Sequence, residues 1–261
     1  MPSSESKALI QIRFRSIALC TVCLPFFSFI FCVIWSLIFN FRQVTSTHCQ
    51  VSNYLPSISA AIGGYTPQRY VWRIGIGLHA APRYIVMFMY YSYYSNLILN
   101  EVIWQRLVTL ACILNGIEIT CLIGLTYVSS SENYPAHEKF FVTFMLSSLT
   151  YMFLLCLLPR IASKVKIAPM ETKSLNIKTY LGMVNVIFFL MALYFFFRHN
   201  WYCEGGVYTL FAICEYIVVV SNMGFHMTAY WDFSNQFLII TPEEGISIHK
   251  KYDSKPPWIS V

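Results

Sequence analysis

Residues 198–232 read RHNWYCEGGVYTLFAICEYIVVVSNMGFHMTAYWD, and this stretch decides the fold class. Its centre, residues 207–229, is apolar for long enough to cross a bilayer, which takes ~20 helical residues. Glu215, Asn222 and His226 lie inside that run, and Arg198, His199, Cys203 and Glu204 crowd its entrance. Ionisable groups are costly in hydrocarbon, so they face a bundle interior or a wet cavity. The stretch predicts a membrane helix that carries a polar site as well as a span.

Composition extends that reading to the whole chain. Of 261 residues, 57% are hydrophobic and 11% charged, against the ~25% charged that is usual in soluble domains. The class is an all-α polytopic membrane protein, with no soluble domain. The net charge of +6 does not signal nucleic acid, because no basic stripe interleaved with aromatics lies in a polar setting. A P-loop, a dinucleotide fingerprint, HExxH and a nucleophile elbow are all missing from the chain, so no cofactor is identified. GIGLHAAP (75–82) follows no strand, so its glycines cradle no phosphate.

Upstream, residues 1–15 are short and polar, and 16–41 form a long apolar run. A signal peptide has an apolar region of ~7–15 residues before small cleavage-site residues. This run is longer and ends in bulky FNFR, so it reads as an uncleaved first helix. Residues 42–68 form a Ser/Thr/Gly/Pro-punctuated loop. Residues 70–99 carry Arg73, His79 and Arg83, with Pro82 between the last two. One long helix from about residue 67, kinked at Pro82, is the preferred reading; a re-entrant or surface segment followed by a short helix from Arg83 is the alternative. Residues 107–128 and 140–158 span again, the former with Glu118 near its middle, and 179–197 gives a fifth span. Residues 207–229 give the sixth. Asp232 and Trp231 end that helix without special partners, and 233–261 is a polar tail.

Basic residues orient the bundle. The N-terminus, the 100–106 turn, the 160–178 loop and the tail hold 12 of the 18 Lys and Arg, from Lys7, Arg13 and Arg15 through Arg106, Arg160, Lys164, Lys166, Lys173 and Lys178 to Lys250, Lys251 and Lys255. Both termini are therefore cytosolic, with a six-helix domain at 16–232 and lumenal loops at 42–68, 129–139 and 198–206. Seven of the nine cysteines lie within apolar runs and behave as small hydrophobes. Cys20 and Cys23 have CxxC spacing without partners at zinc-site intervals, so no metal site is expected. Cys49 and Cys203 are the two in predicted lumenal loops, where an oxidising compartment favours joining them.

Four strings carry a resemblance: TSTHCQVSNYLPSISAAIGGYTPQRYVWR (45–73), TYVSSSEN (126–133), YFFFRHNWYCEGGVYTLFAICEY (194–216) and NMGFHMTAYWDF (222–233). They resemble members of the FRAG1/DRAM/Sfk1 group of membrane proteins that act on glycosylphosphatidylinositol (GPI) anchors. The resemblance runs from about residue 13 to 232. It implies a multi-pass Golgi membrane protein, with the endoplasmic reticulum as a second compartment. The implied step is re-acylation of a lyso-GPI with a saturated chain, from acyl-CoA or a phospholipid donor. Implied partners are membrane lipids, lyso-GPI-anchored proteins and other GPI-remodelling proteins.

A lyso-GPI presents a phosphate and an inositol at the lumenal interface, and arginine matches phosphate oxygens with a planar, permanently charged fork. Arg73, Arg83 and Arg198 are candidates, against ordinary pairing with Glu204 or Glu132. His199 and Glu204 are spaced His-x4-Glu, akin to the His-x4-Asp of glycerolipid acyltransferases, where a carboxylate-oriented histidine is the general base. Glu118, Glu215, His226 and His79 are candidates for a polar interior cavity, with Glu118 opposite Glu215 or against Arg83. Three classes follow: an acyltransferase, a non-catalytic GPI-lipid binder or assembly factor, and a transporter or channel.

Overall fold

A computed structural model of the chain describes residues 10–97, 102–161, 169–241 and 245–250. In chain order these residues form β1 (Ile10–Arg13), α1 (Phe14–Phe39), α2 (Phe41–Thr45), α3 (Ile58–Gly63), α4 (Gln68–Leu97) and α5 (Val102–Tyr127). They continue as α6 (Tyr134–Ile161), α7 (Pro169–Tyr202), α8 (Val207–Met227), α9 (Ala229–Asp232), β2 (Gln236–Thr241) and β3 (Gly245–Lys250). Five helical stretches among the described residues are long and apolar enough to cross a membrane: Phe14–Phe39, Val102–Tyr127, Tyr134–Ile161, Glu171–Tyr202 and Val207–Asp232. At 30 residues α4 is as long as these, but its arginines lower its hydropathy below theirs.

The long helices close into a ring. α1 packs on α4, α4 on α5, α5 on α6, α6 on α7, α7 on α8, and α8 returns to α1. Small residues admit the close approaches, as expected where lipid removes most of the hydrophobic drive between helices. A Cβ on Gly75 of α4 would meet the Ser28 side chain and come within 3.4 Å of the Leu24 carbonyl on α1. Polar side chains add to α7–α8 packing, where Asn185 Nδ2 donates to the Val218 carbonyl (2.7 Å) and Ser221 Oγ (2.9 Å).

α4 is one continuous helix that runs through Pro82. The missing N–H of a proline is tolerated in a spanning helix when neighbouring elements hold it in place. Each of its cations is met: Arg69 Nε donates to the Gly63 carbonyl at 2.8 Å, Arg73 pairs with Glu132 at 2.8 Å, and Arg83 pairs with Glu118 at 3.4 Å.

Several expectations change. The 42–68 loop contains α2 and α3, and α3 packs among α1, α4 and α8. α7 begins at Pro169 and runs to Tyr202, so the 160–178 and 198–206 loops are shorter than their polarity suggests. The tail is not a plain polar extension. Its first two segments are β2 and β3, and β1 completes an antiparallel sheet in the order β1-β2-β3, with Ile12 opposite Leu238 and Phe237 opposite His249. Asp232 is partnered: it takes an ion pair from Lys178 of α7 and a 2.6 Å hydrogen bond from the Tyr90 hydroxyl of α4. Lys7, Lys164, Lys166, Lys251 and Lys255, part of the charge bias, lie outside the described residues.

Candidate functional site

α4, α5, α6 and α8 each send polar side chains to one point inside the ring. Glu118 Oε1 is the hub. It lies 2.9 Å from His226 Nε2 and 3.4 Å from Arg83 Nη2, and it accepts from Ser148 Oγ (3.2 Å) and Asn222 Nδ2 (3.3 Å). Asn222 also donates to Ser148 Oγ at 2.8 Å, and Arg83 Nη2 donates to Asn115 Oδ1 at 3.3 Å. The Tyr151 ring stacks on His226 with centroids 5.8 Å apart and planes inclined by 10°. Glu118 is 1% exposed and Arg83 4%. An ion pair this deep holds only because both partners are present, since removing one leaves an uncompensated charge.

The histidine proton has two positions here. Nε2 lies 2.9 Å from Glu118 Oε1 and 3.0 Å from Arg83 Nη2. A ring with N–H at Nε2 donates to Glu118 and keeps Nδ1 as the proton acceptor, whereas a bare Nε2 accepts from Arg83. Two buried oxygens of the cluster lack a hydrogen-bond partner among the described residues, Glu118 Oε2 and the Tyr151 hydroxyl. Glu118 is nine residues from its end of α5 and His226 nineteen from its end of α8. At 1.5 Å per residue these are about 14 Å and about 28 Å from the end where the disulfide lies, so the cluster is well removed from that end, a third of the way along α5 and near the far end of α8.

The disulfide end is built differently. Cys49 and Cys203 are bonded, with Cα atoms 5.3 Å apart. From Cys49 the chain runs along α8 as a strap. Ser52 accepts from Gly206 N–H (2.9 Å), Tyr54 N–H donates to Thr209 Oγ1 (2.9 Å), the Tyr216 hydroxyl donates to the Pro56 carbonyl (2.7 Å), and Ile58 N–H donates to Glu215 (2.9 Å). Glu215 therefore serves the strap rather than facing Glu118. Gly206 opens this stretch at φ +80°, a left-handed turn that glycine adopts without strain.

His199 and Glu204 are not brought together as a base and its orienting carboxylate. Glu204 is held by Arg198 through two hydrogen bonds of 2.8 and 3.1 Å, and this guanidinium lowers the carboxyl below its ordinary range. The His199 ring is fully buried with no side-chain hydrogen-bond partner among the described residues, its centroid 5.0 Å from that of Tyr208 and 5.7 Å from that of His48. His48 Nε2 lies 3.3 Å from Cys49 Sγ, but the two sulfurs are bonded to each other and offer no thiolate ligand. Arg73 is committed to Glu132 and to the Tyr127 carbonyl (3.0 Å) at the end of α5. His79 Nδ1 donates to the Thr21 carbonyl at 3.1 Å, tying α4 to α1. Of the nine acid, base and cation candidates, three (Arg83, Glu118 and His226) converge.

Asn115, Ser148 and Tyr151 escape a reading based on charge. The available signal was spacing. Asn115 precedes Glu118 by three residues and Ser148 precedes Tyr151 by three, which places each pair on one helix face inside an apolar run.

Comparison with known proteins agrees with the four strings above. A family model described as Frag1/DRAM/Sfk1/Cwh43P N-terminal domain matches residues 13–236. A Xenopus tropicalis protein named "Acyltransferase PGAP2" is 51% identical over 239 residues, 92% of this chain and 95% of its own. "Post-GPI attachment to proteins factor 2" of Drosophila melanogaster is 46% identical over 245 residues, 94% and 95% of the two chains. The Caenorhabditis elegans protein of the same name is 39% identical over 241 residues, 91% and 92%. No solved structure matches the chain. A family match across residues 13–236, with relatives aligned over nearly the full length of both chains, makes this a member of the Frag1/DRAM/Sfk1 family.

Proposed function

We propose that the chain remodels GPI-anchor lipid in a Golgi membrane, transferring a saturated acyl chain to a lyso-GPI, with His226, Glu118 and Arg83 as the reacting centre. The observation that carries this is a histidine–carboxylate–arginine cluster inside the bundle of a chain 51% identical to one named an acyltransferase. In this reading α1, α4, α5, α6, α7 and α8 are six spans. Both termini are cytosolic, and the disulfide end, with the 42–68, 129–139 and 198–206 segments, is lumenal. α4 crosses despite its arginines because Arg83 is neutralised inside the ring and Arg69 and Arg73 lie at its lumenal end.

The step is ester formation. The lyso-GPI hydroxyl oxygen attacks the donor carbonyl carbon, and its proton passes to His226 Nδ1. The new C–O bond forms as the bond to the leaving group breaks, a thiolate for acyl-CoA or an alkoxide for a phospholipid. His226 then returns the proton to that group. Glu118 stabilises the imidazolium, and Arg83 pairs with that carboxylate at 3.4 Å in a site remote from water. His199 is the competing base, but the Glu204 carboxylate is occupied by Arg198.

The test uses purified protein in liposomes with lyso-GPI and either palmitoyl-CoA or phosphatidylcholine as donor. Turnover is normalised to molecules with an intact Cys49–Cys203 bond. His226→Gln should lose ~10²–10⁴-fold, the usual worth of a general base, while His199→Ala retains turnover. Equal normalised activity in His226→Gln would remove this reading. A second reading, a GPI-lipid binding or assembly factor for a separate acyltransferase, is favoured by the crowding of Glu118 Oε1, which Arg83, Ser148, Asn222 and His226 already engage. Lyso-GPI binding without transfer from either donor would select it.

A further inference from the structure

Two histidines stand beside the disulfide that ties the strap to the α7–α8 turn. We infer that reduction of Cys49–Cys203 by a dithiol uncovers a Zn²⁺ site whose ligands are the two freed sulfurs, His48 and His199. This site is independent of the acyl-transfer reading.

The backbone gathers the four residues from two places. His48 and Cys49 are the central residues of a turn that the Gln50 N–H closes on the Thr47 carbonyl at 3.0 Å. At the end of α7 the Cys203 N–H donates to the His199 carbonyl at 2.9 Å, and a four-residue spacing on a helical turn makes side chains neighbours. Gln50 and Cys203 are the non-glycine residues with left-handed backbone among the described residues, at φ 53° and 51°, so the chain turns sharply beside each cysteine. A ring nitrogen of His48 and the two sulfurs all lie within 4.8 Å of one another. Tetrahedral zinc, with bonds of ~2.0–2.3 Å, holds its ligand atoms roughly 3.3–3.8 Å apart, and His48 Nε2 is 3.3 Å from Cys49 Sγ. The His199 ring centroid is 5.7 Å from that of His48, against roughly 5 Å for two imidazoles on one such ion. That ring is fully buried with no side-chain hydrogen-bond partner among the described residues, so no side chain competes with a metal for its nitrogens.

While the sulfurs are joined they offer no thiolate, and the site takes no zinc. A dithiol passes its two hydrogens to the disulfide, closing into a cyclic disulfide and leaving two thiols on the protein. Zn²⁺ then displaces both thiol protons and binds two thiolates and two neutral imidazoles. Two sulfur and two nitrogen ligands select zinc over Mg²⁺ and Ca²⁺, which take oxygen. The two thiolates also cancel the charge of the ion, so the loaded site adds no net charge beside a buried ring. His48 and Cys203 are exposed and Cys49 is half-buried, which opens a path for the metal. Glu204 does not compete as a ligand, because Arg198 holds both its oxygens. The strap is thus clamped in either redox state, by a disulfide when oxidised and by zinc when reduced.

The experiment uses the full chain in nanodiscs, reduced with dithiothreitol, desalted without oxygen and titrated with Co²⁺ as the spectroscopic stand-in for Zn²⁺. One Co²⁺ per chain, with tetrahedral d–d and thiolate charge-transfer absorption that Zn²⁺ displaces, is expected after reduction and not before it. The Cys49→Ser/Cys203→Ser double variant sets the background from the seven free cysteines and should show neither absorption. His48→Ala and His199→Ala should each weaken Co²⁺ binding at least about tenfold, since losing even a partner that only orients a ligand costs ~10–100-fold. His199→Gln replaces the alanine variant should that one misfold. Zn²⁺ should also slow maleimide alkylation of Cys49 and Cys203 in the reduced chain. If the chain unfolds on reduction, Zn²⁺ is supplied throughout: helicity kept by zinc and lost to a chelator supports the site, and unfolding despite zinc overturns it. Tetrahedral absorption that persists in the double variant, that is equal before reduction, or that either histidine variant leaves at full strength overturns the four-residue site.

Discussion

Glu132 shows how one carboxylate settles a whole loop. It accepts from Ser129 N–H (3.0 Å) and Ser129 Oγ (2.8 Å), and Arg73 closes on it at 2.8 Å. The Ser129 donors, followed by the guanidinium, pull its pKa from 4.5 down to about 2. A depressed folded-state pKa contributes stability above the unfolded value that is lost as pH falls through the folded one. The stability gap between wild type and Glu132→Gln should therefore be constant above about pH 4.5 and close toward pH 2, read as melting temperature against pH. A gap that persists at pH 2 would show that the carboxylate's charge is not what holds the loop. In the membrane core the residue-scale argument is the Arg83–Glu118 pair. Glu118→Leu or Arg83→Leu alone strands a buried charge, a loss of ~3–5 kcal/mol, while the double variant recovers much of it. Additive losses in denaturant titrations would deny the coupling.

At the scale of elements, the strap from Cys49 to Ile58 governs how α3 enters the ring. Glu215 accepts the first N–H of α3, and the described residues offer it no cation. Glu215→Gln keeps an acceptor oxygen and should preserve stability. Glu215→Leu leaves the Ile58 N–H unsatisfied at ~1–3 kcal/mol, which thermal unfolding would detect; equal stability in the two variants would count against the strap. The disulfide joins cysteines 154 residues apart, and loss of a native disulfide typically costs ~2–5 kcal/mol. Cys203→Ser should lower the unfolding midpoint and loosen the strap, seen as faster amide exchange at residues 49–58. Unchanged exchange there would mean that the hydrogen bonds to α8 suffice.

For the whole molecule, the closing of the ring decides the site. α8 meets α5 and α6 through the side chains of Asn222 and His226, so the interior is a polar bridge. At the sheet end Lys178, Asp232 and Tyr90 tie α7, α9 and α4 together. If the six-span reading holds, cysteines placed at Glu132 and at Arg106 should react with a membrane-impermeant maleimide from opposite sides of sealed vesicles. Labelling from one side would break the six-span arrangement.

The sequence by itself determined the membrane class, the long apolar helices, the family strings and the pairing of Cys49 with Cys203. These depend on local composition and on the short list of cysteines outside apolar runs. It also marked Arg83, Glu118 and His226, because a charge inside a span needs a partner. Which partner each took was a tertiary decision. Linear spacing offered His199 to Glu204, yet Arg198 satisfies that carboxylate and α7 carries the histidine ring into a buried aromatic contact. Asp232 looked idle in the sequence because its partners, Lys178 and Tyr90, are 54 and 142 residues away. The same holds for β1 and β2, which pair Arg13 with Phe237 only after the ring has brought both ends of the chain to one side.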